Sequence, residues 1–109
     1  MTIGEALARF EQGWVASQPV TPRTAYERTL RLLGFWLERH GRSPADDLAT
    51  LHADDLEAFV RWHAASGLVD DAEASRKVAL HVARLGAELA ASCDRPDRAL
   101  ERDRLRALV

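Results

Sequence analysis

Four histidines, one cysteine and three adjacent aspartate pairs are the residues of this sequence best suited to metal or acid–base chemistry. A protein metal site needs clustered ligands. His40, His52, His63 and His81 fall in four different local contexts. None forms a His-x-x-x-His pair, and none joins Cys93 at zinc spacing. His52 with Asp54 and Asp55 comes nearest to a cluster, and it reads as the polar start of a helix. His63 and His81 lie beside apolar stripes, as packed histidines do. Asp46–Asp47, Asp54–Asp55 and Asp70–Asp71 are neighbours in sequence, but adjacent residues do not face each other on a helix. They read as caps and solvated loops and not as acid–base dyads. There is no Gly-x-Ser-x-Gly and no glycine-rich phosphate loop. A lone cysteine such as Cys93, even with Arg95 nearby, reads as structural. No catalytic residue, metal or cofactor is therefore expected.

Phosphate recognition is the chemistry that remains. Arg outnumbers Lys fourteen to one, with Lys77 the single lysine, and the guanidinium suits bidentate contacts to phosphate or carboxylate. Arg23, Thr24, Arg28 and Arg31 stand near the start of one helical stretch. Ser75, Arg76 and Lys77, followed by Arg84, stand near the start of another. Hydroxyls, guanidinium groups and free amides at a helix N-terminus together make a phosphate-binding surface. The same residues also serve as the solvated outer faces of an amphipathic bundle, and composition alone favours that plainer account.

The elements that must position these groups are helices. Ile3, Leu7, Phe10 and Trp14 recur at four, three and four residues, one face of a helix. Thr2 caps that helix, with Glu5 at capping-box offset, and Gln18–Pro19 ends it. Thr21–Pro22 restarts the chain as a capping hydroxyl followed by a first-position proline. Tyr26, Leu30, Leu33 and Leu37 then repeat the spacing, and Leu32, Phe35 and Trp36 widen the stripe, which predicts burial on more than one side. Gly41 stops this helix. Residues 42–51 connect to a third helix over about 53–65, with Asp54, Asp55 and Glu57 in the first turn, where the dipole favours anions. Its apolar face is Leu56, Phe59, Val60 and His63, and Ser66–Gly67 ends it. Asp70 or Asp71 caps a fourth helix carrying Val78, Val82, Leu85 and Leu89. After a break at 93–96, residues 97–109 carry Leu100, Leu105 and Leu108 among many charges. This segment is too short to be stable alone, so it needs a surface of its own chain or of another.

Composition agrees. Hydrophobic residues make up 47% and charged residues 29%, enough apolar mass for a core and far from disorder. Ala, Leu and Arg dominate, all good helix formers. The net charge is −2 at pH 7, so bulk electrostatics attracts neither nucleic acid nor an anionic membrane. The charge is uneven, however: residues 42–72 are strongly acidic and 73–109 mildly basic. No apolar run approaches the ~20 residues that span a bilayer, no signal peptide is visible, and one cysteine allows no internal disulfide. The expected location is cytoplasmic. The expected fold is all-α, four main helices plus a short fifth. Tyr26, Leu30, Leu33, Trp36, Leu37, Leu56, Phe59, Val78, Val82 and Leu85 form its core.

The order of these features resembles the N-terminal core-binding (SAM-like) domain of tyrosine recombinases, the phage-integrase family. The stretch from Thr21 to Gly41, with Thr21, Thr24, Tyr26, Leu30, Phe35, Trp36 and Leu37, is similar to that family's Thr/Tyr/Leu/Phe/Trp-Leu helix, loosely spaced. Leu51-His52-Ala53-Asp54-Asp55-Leu56-Glu57-Ala58-Phe59-Val60-Arg61-Trp62 is similar to its next helix, with His52 where Ser or Thr is usual. The resemblance covers residues 2–92 and implies a four-helix bundle over 1–94, with 95–109 as a helical tail. It implies a non-catalytic domain that contacts duplex DNA backbone through helices 2 and 4. The residues carried over are Arg23, Thr24, Arg28, Arg31, Ser75, Arg76 and Lys77. The family's catalytic domain has no counterpart in these 109 residues, and Tyr26, the one tyrosine, belongs to the core stripe. The alternative is a protein-interaction or oligomerisation module that no longer binds DNA and acts through the C-terminal tail.

Overall fold

Helical periodicity translates directly into structure. The computed structural model describes residues 1–67, 72–92 and 97–108. Among them are five α-helices and no strand, so the chain is all-α. Asp70, Asp71 and Cys93 lie outside the described residues. The chain divides into two compact units, Met1–Leu51 and His52–Val109.

In the first unit, α1 spans Ile3–Gln12. Its N-terminus is capped as expected: the Glu5 N–H donates to Thr2 Oγ1 at 3.1 Å. Two more first-turn amides find distant acceptors, Ile3 N–H on the Asp46 carbonyl and Gly4 N–H on the Pro44 carbonyl, both at 2.9 Å. A Cβ on Gly4 would stand 3.0 Å from Pro44 Cβ, so glycine permits this approach. The helix ends at Gly13, whose N–H returns to the Arg9 carbonyl at 2.9 Å, and not at Gln18–Pro19. Trp14 therefore follows the helix, at the head of a 3-10 turn over Val15–Ser17. It still stacks on Phe10 at 5.6 Å and meets Tyr26 edge-on at 5.0 Å.

The second helix, α2, spans Val20–Arg39. Its N-cap is Pro19, not Thr21, so Thr21 and Pro22 occupy the second and third helical positions. Proline is tolerated there because first-turn amides have no intrahelical partner to lose. Tyr26, Leu30, Leu33, Trp36 and Leu37 are buried. Phe35 is not; it is 49% exposed, so the stripe widens to Trp36 and in part to Leu32 but not to Phe35. Gly41, at φ +76°, ends the helix. Arg42 N–H reaches the Leu37 carbonyl and Gly41 N–H the Glu38 carbonyl, at 2.9 and 3.1 Å, which is a Schellman motif. The connection then buries Leu48 and Leu51 around a 3-10 turn over Leu48–Thr50.

In the second unit, α3 spans Ala53–Ala65, α4 spans Ala72–Ser92 and α5 spans Asp97–Arg106. The spacing-predicted residues Leu56, Phe59, Val78, Val82, Leu85 and Leu89 are all buried. The small residues Ala53, Ala79 and Ala83 join them, letting helices approach closely. The segment expected as a separate tail forms α5, which packs on α3 and α4 of its own chain. Of its leucines, Leu105 is 2% exposed, seated against Gly86 of α4. Leu108 is half-buried and Leu100 is 75% exposed. Of these three leucines, only Leu105 is fully buried. Among the described residues, no helix is long and apolar enough to cross a membrane.

Candidate nucleic-acid interface

The four histidines, Asp46, Asp47 and Asp55 have structural roles. His63 and His81 are buried, at 3% and 7% exposure. Burial lowers the His63 pKa. Burial, reinforced by the Lys77 charge, lowers that of His81 to about 4. His40 stacks on Trp36 at 4.2 Å, with Nδ1 2.8 Å from the Trp36 carbonyl. His52 precedes α3, and its N–H donates to Asp55 Oδ2 at 2.9 Å. Asp46 Oδ2 accepts from Ser43 N–H and Asp47 Oδ1 from Ala49 N–H, each at 2.9 Å, so both cap turns. No group of three potential metal ligands occurs among the described residues. Tyr26 is packed against Phe10 and Trp14 at 8% exposure, as a member of the core stripe.

Tertiary structure sorts the cations into two sets. Arg61 Nη2 donates to Glu57 Oε1 at 2.5 Å. Arg104 reaches back from α5 to Asp54 Oδ1 and Glu57 Oε2 on α3, both at 2.5 Å. The Glu57 arm is an ion contact and not a well-aligned hydrogen bond. Glu57 is itself buried at 8% exposure, so these arginines balance a carboxylate withdrawn from water. Arg42 is likewise occupied, donating to the Thr50 carbonyl at 2.8 Å. Arg104 and its acidic partners carry no signal in local spacing, because 47 residues or more separate them.

The second set is available. On α2, Thr24, Arg28 and Arg31 are exposed and Arg23 is half-buried. A helix turns about 100° per residue, so positions 24, 28 and 31 share one face while 23 lies to its side. The Thr24 hydroxyl donates its one proton to the Val20 carbonyl at 2.9 Å, so it must release that bond before it can donate to a phosphate. Val20, Thr21, Thr24, Ala25 and Arg28 line a shallow depression. On α4, Arg76 and Lys77 are exposed and Ser75 is half-buried. Three consecutive positions fan over about 200°, so Ser75 turns partly inward while the two cations face solvent. Within the described residues, Arg23, Arg28, Arg31, Arg76 and Lys77 have no carboxylate partner. The seven residues thus form two local sets, one per unit. One was not anticipated in full: Phe35 and Arg39 extend the α2 face, with Arg39 Cζ 4.9 Å from the Phe35 ring centroid. The four-residue steps from Arg31 to Phe35 and from Phe35 to Arg39 were the available signal.

Comparison of the chain with family models, curated proteins and solved structures gives no match.

Proposed function

We propose that this chain is a non-catalytic DNA-binding domain of the integrase and recombinase core-binding type. In this reading it contacts duplex backbone through Arg23, Thr24, Arg28 and Arg31 on α2 and Ser75, Arg76 and Lys77 on α4. The observation that carries the reading is the sorting of the cations. Arg61 and Arg104 are spent on internal carboxylates, whereas Arg28, Arg31, Arg76 and Lys77 face solvent with no carboxylate partner among the described residues. A guanidinium already paired would have to break that pair before binding phosphate; these need not. The resemblance of residues 21–41 and 51–62 to the core-binding helices supports the same choice. Contacts of this kind go to phosphate and are largely independent of sequence.

The test is anisotropy of a labelled duplex at low salt. Five cations engaging about five phosphates give a slope of log K against log salt near −4.5. Arg28→Glu with Arg76→Glu is expected to abolish binding while leaving helicity intact, since both residues are exposed. No binding at tens of micromolar protein, or binding that survives the double variant, refutes the reading. It would leave the alternative, a protein-interaction module, for which the observation is Leu100 at 75% exposure on α5.

A further inference from the structure

Six of the seven aromatic side chains are buried or half-buried; Phe35, at 49% exposure, is the one left exposed. The ring lies along a stripe of cations. Thr24, Arg28, Arg31 and Phe35 follow at four, three and four residues on the outer face of α2, with Arg39 one turn further on. The Arg39 guanidinium stands 4.9 Å from the ring centroid, a cation–π pair. Gly34 flanks the ring, and a Cβ built there would meet nothing within 4 Å. That position therefore sets no side chain beside the ring. A mid-helix glycine costs about 1 kcal/mol relative to alanine, and no neighbour's approach requires this one. Glu27 and Glu38 lie on the flank of the stripe and not within it.

We propose that Phe35 and Arg39 take an unpaired nucleobase by stacking while Arg28 and Arg31 hold the adjoining phosphates. The DNA bound best then carries unpaired bases beside duplex, as at a gap or junction. This rests on the reading that α2 meets DNA backbone, and it adds the class of DNA preferred. Aromatic rings and arginine planes are the surfaces on which proteins stack extruded bases, and the stack tolerates any base because each has a π-face. One helical turn advances about 5.4 Å, so Arg31 and Phe35 stand about one turn apart, matching a base and its neighbouring phosphate along one strand. In a fully paired duplex the bases are already stacked on each other, and Phe35 gains nothing.

The experiment compares anisotropy titrations of three labelled DNAs at low salt. They are a paired duplex, the same duplex with a gap of about six nucleotides, within the span of one small single-strand site, and the free single strand. The wild type is expected to bind the gapped and single-stranded DNAs more tightly than the duplex. Phe35→Ala should lose about five- to hundredfold in affinity for those two and nothing on the duplex. Phe35→Trp should retain the preference. Arg28→Glu with Arg31→Glu should weaken all three. Circular dichroism checks that each variant keeps its helicity. Equal affinity for gapped and paired DNA, or Phe35→Ala indistinguishable from wild type, overturns the proposal while duplex binding stands. Single-strand binding that needs Phe35, without duplex binding, overturns the duplex reading alone. No binding to any DNA overturns both.

Discussion

His81 gives the chain an acid-sensitive core. It lies on α4 at 7% exposure, and burial together with Lys77 one turn earlier lowers its pKa from 6.5 to about 4. The unfolded chain, with an ordinary histidine, takes up a proton as pH falls through 6.5; the folded chain resists until about 4. Between those values the unfolded state binds more protons, so stability falls as pH falls. Above 6.5 the contribution to stability is complete, and below about 4 its loss is complete. At pH 4.5 linkage with these two values predicts a loss of at most about 2.5 kcal/mol. His63, whose pKa is also lowered by burial, acts in the same direction. The assay is urea unfolding followed by circular dichroism at pH 7 and pH 4.5, for the wild type and His81→Gln. Glutamine cannot take the proton, so the variant's loss between the two pH values should be smaller by about 2 kcal/mol. Taking this difference removes carboxylate titration common to both proteins. Equal losses in the two proteins would refute the reasoning.

Other substitutions test the packing. Trp36→Ala is expected to cost about 3–5 kcal/mol by urea unfolding, as for a ring with 7% exposure. Gly86→Ala should destabilise by a net of about 0–2 kcal/mol, because the new Cβ collides with the end of the buried Leu105 side chain, an overpacking cost of about 1–3 kcal/mol offset by about 1 kcal/mol of helix propensity. Leu105→Ala is expected to cost about 2–5 kcal/mol. The double variant should cost less than the sum, since the smaller side chain relieves the collision.

Much of this protein was legible locally. The four-three-four spacing of apolar residues repeats with the period of a helix, so the helices and the ten expected core residues could be read along the chain, and all ten are buried. The bounds of α3 were equally local, since acidic first-turn residues and Ser66–Gly67 act within a turn of the helix they delimit. The candidate face at Thr24, Arg28 and Arg31 needed only the helical angle. Tertiary structure decided what spacing cannot address: which of several equivalent groups meets a distant partner. Leu100 and Leu105 look alike in sequence, yet only Leu105 finds the gap that Gly86 leaves in α4. Phe35 continues an apolar stripe in sequence but falls outside the arc that α2 buries. Asp54 and Glu57 read as solvated anions until α5 brings Arg104 against them. The first-turn amides of α1 likewise waited for the Pro44 and Asp46 carbonyls. Periodicity reports on neighbours within a turn or two. Burial, ion pairing and the freedom of a guanidinium to bind anything else depend on surfaces contributed from tens of residues away.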